Sequence, residues 1–182
     1  MIDTAEKVRF DLASGSVRAG EGERLVLMPC SALEQLGRSA GVDVACGLSR
    51  TMGAAIGMAV VARFGSSDAV RAASLEAVVD ALGSELAVSG WGAVSLERWG
   101  RAMVMIVEHP PVEEGQYLAA LLEGALREAT GRAVRCLPLG RDGVARFLVA
   151  GDGAAARARA WLAEGVAWGD VLVRLQSNGV SA

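Results

Sequence analysis

The spacing of apolar residues changes period once along the chain, and the change falls at Gly90. Before it, Leu75, Val78, Val79, Leu82 and Leu86 recur at i, i+3, i+4, i+7 and i+11, which is one face of an α-helix. After it, residues 93–99 and 102–108 read as two strands joined at Gly100, a hairpin. Parallel neighbours need long crossovers, whereas strands this close in sequence pair antiparallel. The expected class is therefore α+β, with N-terminal helices followed by antiparallel hairpins and intervening helices in a single domain.

The flanks extend this reading. Residues 1–28 mix charge with Gly and Ser and are expected to form a flexible arm, ending in a short extended piece at 24–28. Residues 29–182 form the expected domain. Pro29 breaks the arm, and Ser31 with Glu34 three residues later reads as a capping box opening a short helix that ends near Gly41. Asp43 is expected to cap a long helix over 44–64, whose Gly53 and Gly57 suit close helix–helix packing. Ser66, Ser67 and Asp68 start the helix that carries the apolar face above, and Gly90 serves as its C-cap. Pro110 and Pro111 end the second strand. A helix is expected over 117–130, stopping at Gly131, then a hairpin of 133–139 and 144–149 turning at Asp142-Gly143. A short helix at 154–164 and a last strand at 170–176 complete the order.

Composition narrows the function classes. Apolar residues make up 52% of the 182, and only 21% are charged. That apolar excess favours burial between subunits, so a homo-oligomer is expected. The net charge of −3, with basic residues dispersed among acidic ones, and 4% aromatics argue against nucleic acid. Cys30, Cys46 and Cys136 are odd in number and lack CxxC spacing, which fits buried thiols in a reducing compartment. The N-terminus lacks a basic region followed by an apolar stretch, and the longest apolar run, 52–62, is too short for a bilayer. A cytoplasmic location without membrane insertion is the expectation.

A search for chemistry assigns no catalytic, cofactor-binding or metal-binding residue. His109 is the single histidine, at a strand end beside two prolines, with no nucleophile elbow near it. One His and three scattered Cys do not make a metal site. Glycines are plentiful, yet no phosphate-loop pattern exists, and Gly151-Asp152-Gly153 reads as a turn. Glu113 and Glu114 read as solvated loop acids. Trp91, Trp99, Trp161 and Trp168 each stand near an element boundary, where they close core edges or subunit contacts more readily than they stack on sugars. The chain is expected not to be an enzyme.

One succession of motifs is more specific. An amphipathic helix leads to Trp91-Gly92 and a strand with Val94 and Leu96. A second strand ends Met105-Ile106-Val107-Glu108-His109 before prolines, and a helix opens Tyr117-Leu118-Ala119 and reaches Leu122-Glu123-Gly124. This order, with the Arg63-Phe64 helix end, resembles the D subunit of bacterial cellulose synthase (BcsD) over roughly residues 45–130. The arm is longer than that family's start, and the loop before Tyr117 is shorter. Beyond Gly131 only the pattern of elements matches. The resemblance implies a non-catalytic accessory subunit of cellulose biosynthesis, a ring-like octamer that guides nascent glucan chains for export and crystallisation alongside the synthase complex. No glucan-binding residue carries over. The same strands and helix also look like the 4-vinyl reductase and TRAPP-related domains, whose members bind small hydrophobic molecules or act as assembly modules. A haem-based sensor of the H-NOX kind needs a proximal His on a helix, which His109 does not offer.

Overall fold

A computed structural model describes residues 8–19 and 24–177. It has the expected α+β class: a four-stranded antiparallel sheet between two helical layers, with a small separate sheet at the N-terminus.

The expected loose arm is partly ordered. Strands β1 (Val8–Asp11), β2 (Ser16–Ala19) and β3 (Arg24–Leu25) pair antiparallel in that order. Asp11 closes the first turn, its carboxylate accepting from the backbone N–H groups of Ala13 and Ser14 and from the Ser14 hydroxyl. The alternation Val8-Arg9-Phe10 already carries a strand period, which the surrounding Gly and Ser obscured. No strand residue of this sheet is buried.

Helix α1 (Cys30–Ala40) begins at Pro29, and no side chain caps it. The expected Ser31–Glu34 capping box does not form. Glu34 instead accepts a hydrogen bond from the backbone N–H of Glu113, 2.9 Å away, and lies 3.7 Å from Arg38 one turn on. A partner across the fold thus claims the carboxylate that local geometry would have used. Gly41, at φ 85°, is the single residue between α1 and α2 (Val42–Phe64), and it stands at the N-cap position that Asp43 was expected to fill. Asp43 lies in the first turn, where its charge complements the helix dipole.

The next helical stretch is two helices. In α3 (Ser67–Ala72) the Ser66 hydroxyl accepts from Ala69 N–H, and in α4 (Leu75–Val88) the Ser74 hydroxyl accepts from Ala77 N–H. The second cap breaks the continuous helix expected from the apolar period alone.

Strands β4 (Ala93–Trp99) and β5 (Ala102–Glu108) form the expected hairpin. Helix α5 (Gly115–Thr130) ends at left-handed Gly131. Strands β6 (Arg135–Asp142) and β7 (Val144–Ala150) pair next, giving the sheet order β4-β5-β7-β6. Central β5 is covered on both faces, so Val104, Met105, Ile106 and Val107 are all buried. Met105, Val107 and Phe147 face α2, α4 and α5, whereas Val104 and Leu148 face α6 (Asp152–Ala163) and α7 (Trp168–Ser177).

Helix α7 replaces the strand expected at 170–176. Trp168, Val171, Leu172 and Leu175 recur at i, i+3, i+4 and i+7 and pack on the outer sheet face. Within Val171-Leu172-Val173 the apolar run is equally strand-like, and only the wider window separates the two.

Gly53 and Gly57 serve packing within the protomer. A methyl group on either would collide with the backbone of α5, at Leu121 and Ala125 respectively, and one on Gly124 would strike the backbone of Arg50. Among the described residues α2 is the one helix long and apolar enough to cross a membrane, and its small-residue face is the seam with α5.

Candidate functional site

A cavity of about 90 Å3 is lined by both helices joined at Gly41 and by the start of α5. From α1, Leu33, Leu36 and Gly37 face it, and from α2, Ala45, Leu48 and Ser49 do so. Trp91, Val112 and Tyr117 add to the wall, and among the described residues no charged one lines it. Each wall residue has a local reason for its place. Trp91 follows the α4 terminus, where its backbone N–H returns to Leu86 C=O at 2.9 Å. Val112 lies in the loop that the two prolines force away from the sheet. Tyr117 opens the first turn of α5, and Gly37 is the only buried residue of α1. The Glu34–Glu113 bond ties α1 to the same loop.

One buried polar residue, Ser49, stands in this apolar lining. Ser49 is 6% exposed and is the one buried polar residue among the described residues. The Ser49 hydroxyl, the Trp91 indole N–H and the Tyr117 hydroxyl have no hydrogen-bond partner among the described residues. No fully sealed side-chain nitrogen or oxygen lacks a partner, so these three atoms keep access to open space.

A second, wider cleft of about 680 Å3 runs beside Cys46, Arg50, Glu123, Cys136 and Arg159. Its main acid is already engaged. Glu123 lies 3.6 Å from Arg50 and 3.9 Å from Arg135, and accepts from Cys136 N–H at 3.1 Å. Arg135 also pairs with Asp152 at 2.6 Å, which holds its guanidinium firmly protonated. The network joins α2, α5, β6 and α6 and leaves little free chemistry.

In overall arrangement this chain is similar to a sensory domain. The likeness is to the phenol-responsive sensory domain of the transcription activator PoxR, solved with phenol, at a TM-score of 0.53 and 16% identity. It covers 82% of this chain and 87% of that one. At that identity the likeness establishes the fold alone. No family model matches the sequence, and no curated protein does.

The residues singled out in the sequence scatter. His109 is exposed, at φ 52° in the left-handed region, where the turn into Pro110 places it. Glu113 pairs with Arg141 at 2.9 Å, and Glu114 stands before α5 without capping it. Burial raises the Cys46 thiol, which donates to Gln116 C=O, and burial pushes Cys136 up more strongly. Cys30 is exposed. No cluster of three His, Cys, Asp or Glu suited to a metal occurs among the described residues. Of the tryptophans, only Trp91 reaches the cavity. Trp99 and Trp168 meet edge to face at 5.5 Å, and Arg146 and Arg174 lie over Trp168 and Trp161 at 5.7 and 5.8 Å. Sequence reasoning passed over Ser49. Its signal was a hydroxyl at i+4 from Ala45 and i−4 from Gly53, on the packed face of α2.

Proposed function

We propose that this chain is a ligand-binding sensory module that takes one small, largely apolar molecule into the cavity under α1. The observation that carries the reading is an apolar chamber with one buried hydroxyl residue, Ser49, in its wall, lined on one side by a helix that buries only Gly37. Apolar interior space is ordinarily filled, because each lining atom without a neighbour forfeits dispersion contacts. A closed cavity of about 150 Å3 lined by aliphatic side chains suffices for benzene. The present one is smaller but open at its mouth, which limits the occupant to about one ring. The fold likeness to a phenol-responsive domain accords with this use. Thermal denaturation of the full chain with and without millimolar toluene or phenol tests it. A midpoint that rises with concentration is expected, and its absence with every small ring tried would end the reading.

The cellulose accessory reading has a separate observation in its favour. Val26, Leu27 and Met28 are 86%, 65% and 53% exposed, and Leu36, Val42 and Val44 are exposed as well. Such a surface suits contact between copies of the chain. On that reading light scattering gives an assembly near an octamer. Gene deletion lowers cellulose yield or crystallinity while membrane synthase activity persists. A monomer at tens of micromolar would remove it.

A further inference from the structure

Among the described helical Ser and Thr hydroxyls that make no bond within their own helix, Ser31, Ser39, Ser49 and Ser67, only Ser49 is buried. Thr51, Ser84, Thr130 and Ser177 each donate to the carbonyl four residues back, at 3.2, 2.8, 2.6 and 3.2 Å. Such back-bonding is the ordinary way for a helical Ser or Thr to satisfy itself. Ser49 makes no such bond to Ala45, although it is the buried polar residue with most need of one. Since no sealed polar atom is unpartnered, the Ser49 oxygen is reachable, and the space it lines is the cavity.

We infer that Ser49 selects the ligand, and that the ligand is an uncharged small ring or chain bearing one hydroxyl or carbonyl oxygen. This inference rests on the ligand-binding reading above. The Ser49 hydroxyl can donate or accept, so it suits a ligand oxygen in either role. An ammonium would lose its hydration with no acid in the lining to pair with it. A carboxylate would enter a chamber with no charged residue to pair with it, so its desolvation would go uncompensated. The remaining wall, Leu33, Leu36, Leu48 and Val112, takes the apolar body of the molecule.

The test is calorimetric titration of the full chain with toluene, phenol and benzoate, on wild type, Ser49→Ala and Ser49→Cys. Wild type should bind phenol about tenfold more tightly than toluene, the ratio expected of one well-made buried hydrogen bond. Benzoate should show no heat of binding. Ser49→Ala should bring the phenol-to-toluene ratio close to one, with toluene affinity unchanged or raised. Ser49→Cys, which keeps the side-chain shape with a weaker donor, serves if the alanine variant does not fold, and should lower the ratio likewise. Equal binding of toluene and phenol by wild type, or an unchanged ratio in a folded variant, would overturn the role of Ser49 while leaving the ligand site standing. Benzoate binding would overturn the uncharged class. Failure of all three molecules to bind would remove both this inference and the reading beneath it.

Discussion

Gly37 lies flat against the ring of Tyr117: a Cβ placed on it would sit 2.6 Å from Cε2 and 3.0 Å from Cζ. The only buried residue of α1 is therefore the one whose missing side chain admits the aromatic wall of the cavity. Gly37→Ala should tilt the ring or lift α1. Overpacking of this kind costs about 1–3 kcal/mol, partly offset by about 1 kcal/mol of helix propensity. Tyr117 is the sole tyrosine, so near-ultraviolet difference absorption reports on its surroundings directly. An unchanged tyrosine band in the variant would count against the contact.

Gly57 offers a sharper contrast. Its added methyl would meet backbone of α5, which cannot rotate away, while Gly47 in the same helix has nothing within 4 Å. Gly57→Ala should destabilise by at least about 1–3 kcal/mol, and Gly47→Ala should be neutral or stabilise by up to about 1 kcal/mol. Urea denaturation of the pair decides it. A charge at Gly57 is accordingly expected to unfold the protomer before it disturbs any assembly.

Leu122 is fully buried between the α2 layer and the sheet. Leu122→Ala should cost about 2–5 kcal/mol, read as a lower denaturation midpoint at unchanged slope. An unmoved midpoint would mean that α5 turns a different face inward.

Cys136 gives the stability a pH dependence. Burial, and secondarily the Glu123 charge, raises its thiol far above the ordinary 9.0. Below that value both folded and unfolded chains keep the proton, and the contribution is fully present. Above it the unfolded thiol ionises while the folded one does not, so stability falls as pH rises, by at most about 1.4 kcal/mol per pH unit. Denaturation of wild type and Cys136→Ala between pH 7 and 10 should show a steeper alkaline loss in wild type. A thiol reagent should modify Cys30 rapidly and Cys136 only on unfolding.

Much of the layered fold was legible because strand pairs and helices were each set by local signals. Gly100, the Pro110-Pro111 pair and Gly131 all end elements where they stand. What escaped depended on distant partners. Glu34 left its capping box for Glu113, and Val171 and Leu172 chose helix because the outer sheet face needed cover. The cavity escaped for the same reason: Ser49, Trp91 and Tyr117 are far apart in sequence, and only the packing of α2, the end of α4 and the start of α5 puts them in one wall. Gly53 and Gly57, in contrast, pack as their spacing suggested, against α5 of the same protomer.

Gly41 joins α1 and α2 with no intervening loop, and the Glu34–Glu113 bond ties α1 to the fold towards its other end. Eleven helical residues make an arm of about 16 Å, and a pivot of about 10° carries its far end through about 3 Å. From α1 the cavity is lined by Leu33, Leu36, Gly37 and Ala40, and Pro29 stands at the far end of the helix. A tilt of α1 about Gly41 would therefore first break the hydrogen bond that Glu34 accepts from Glu113 N–H.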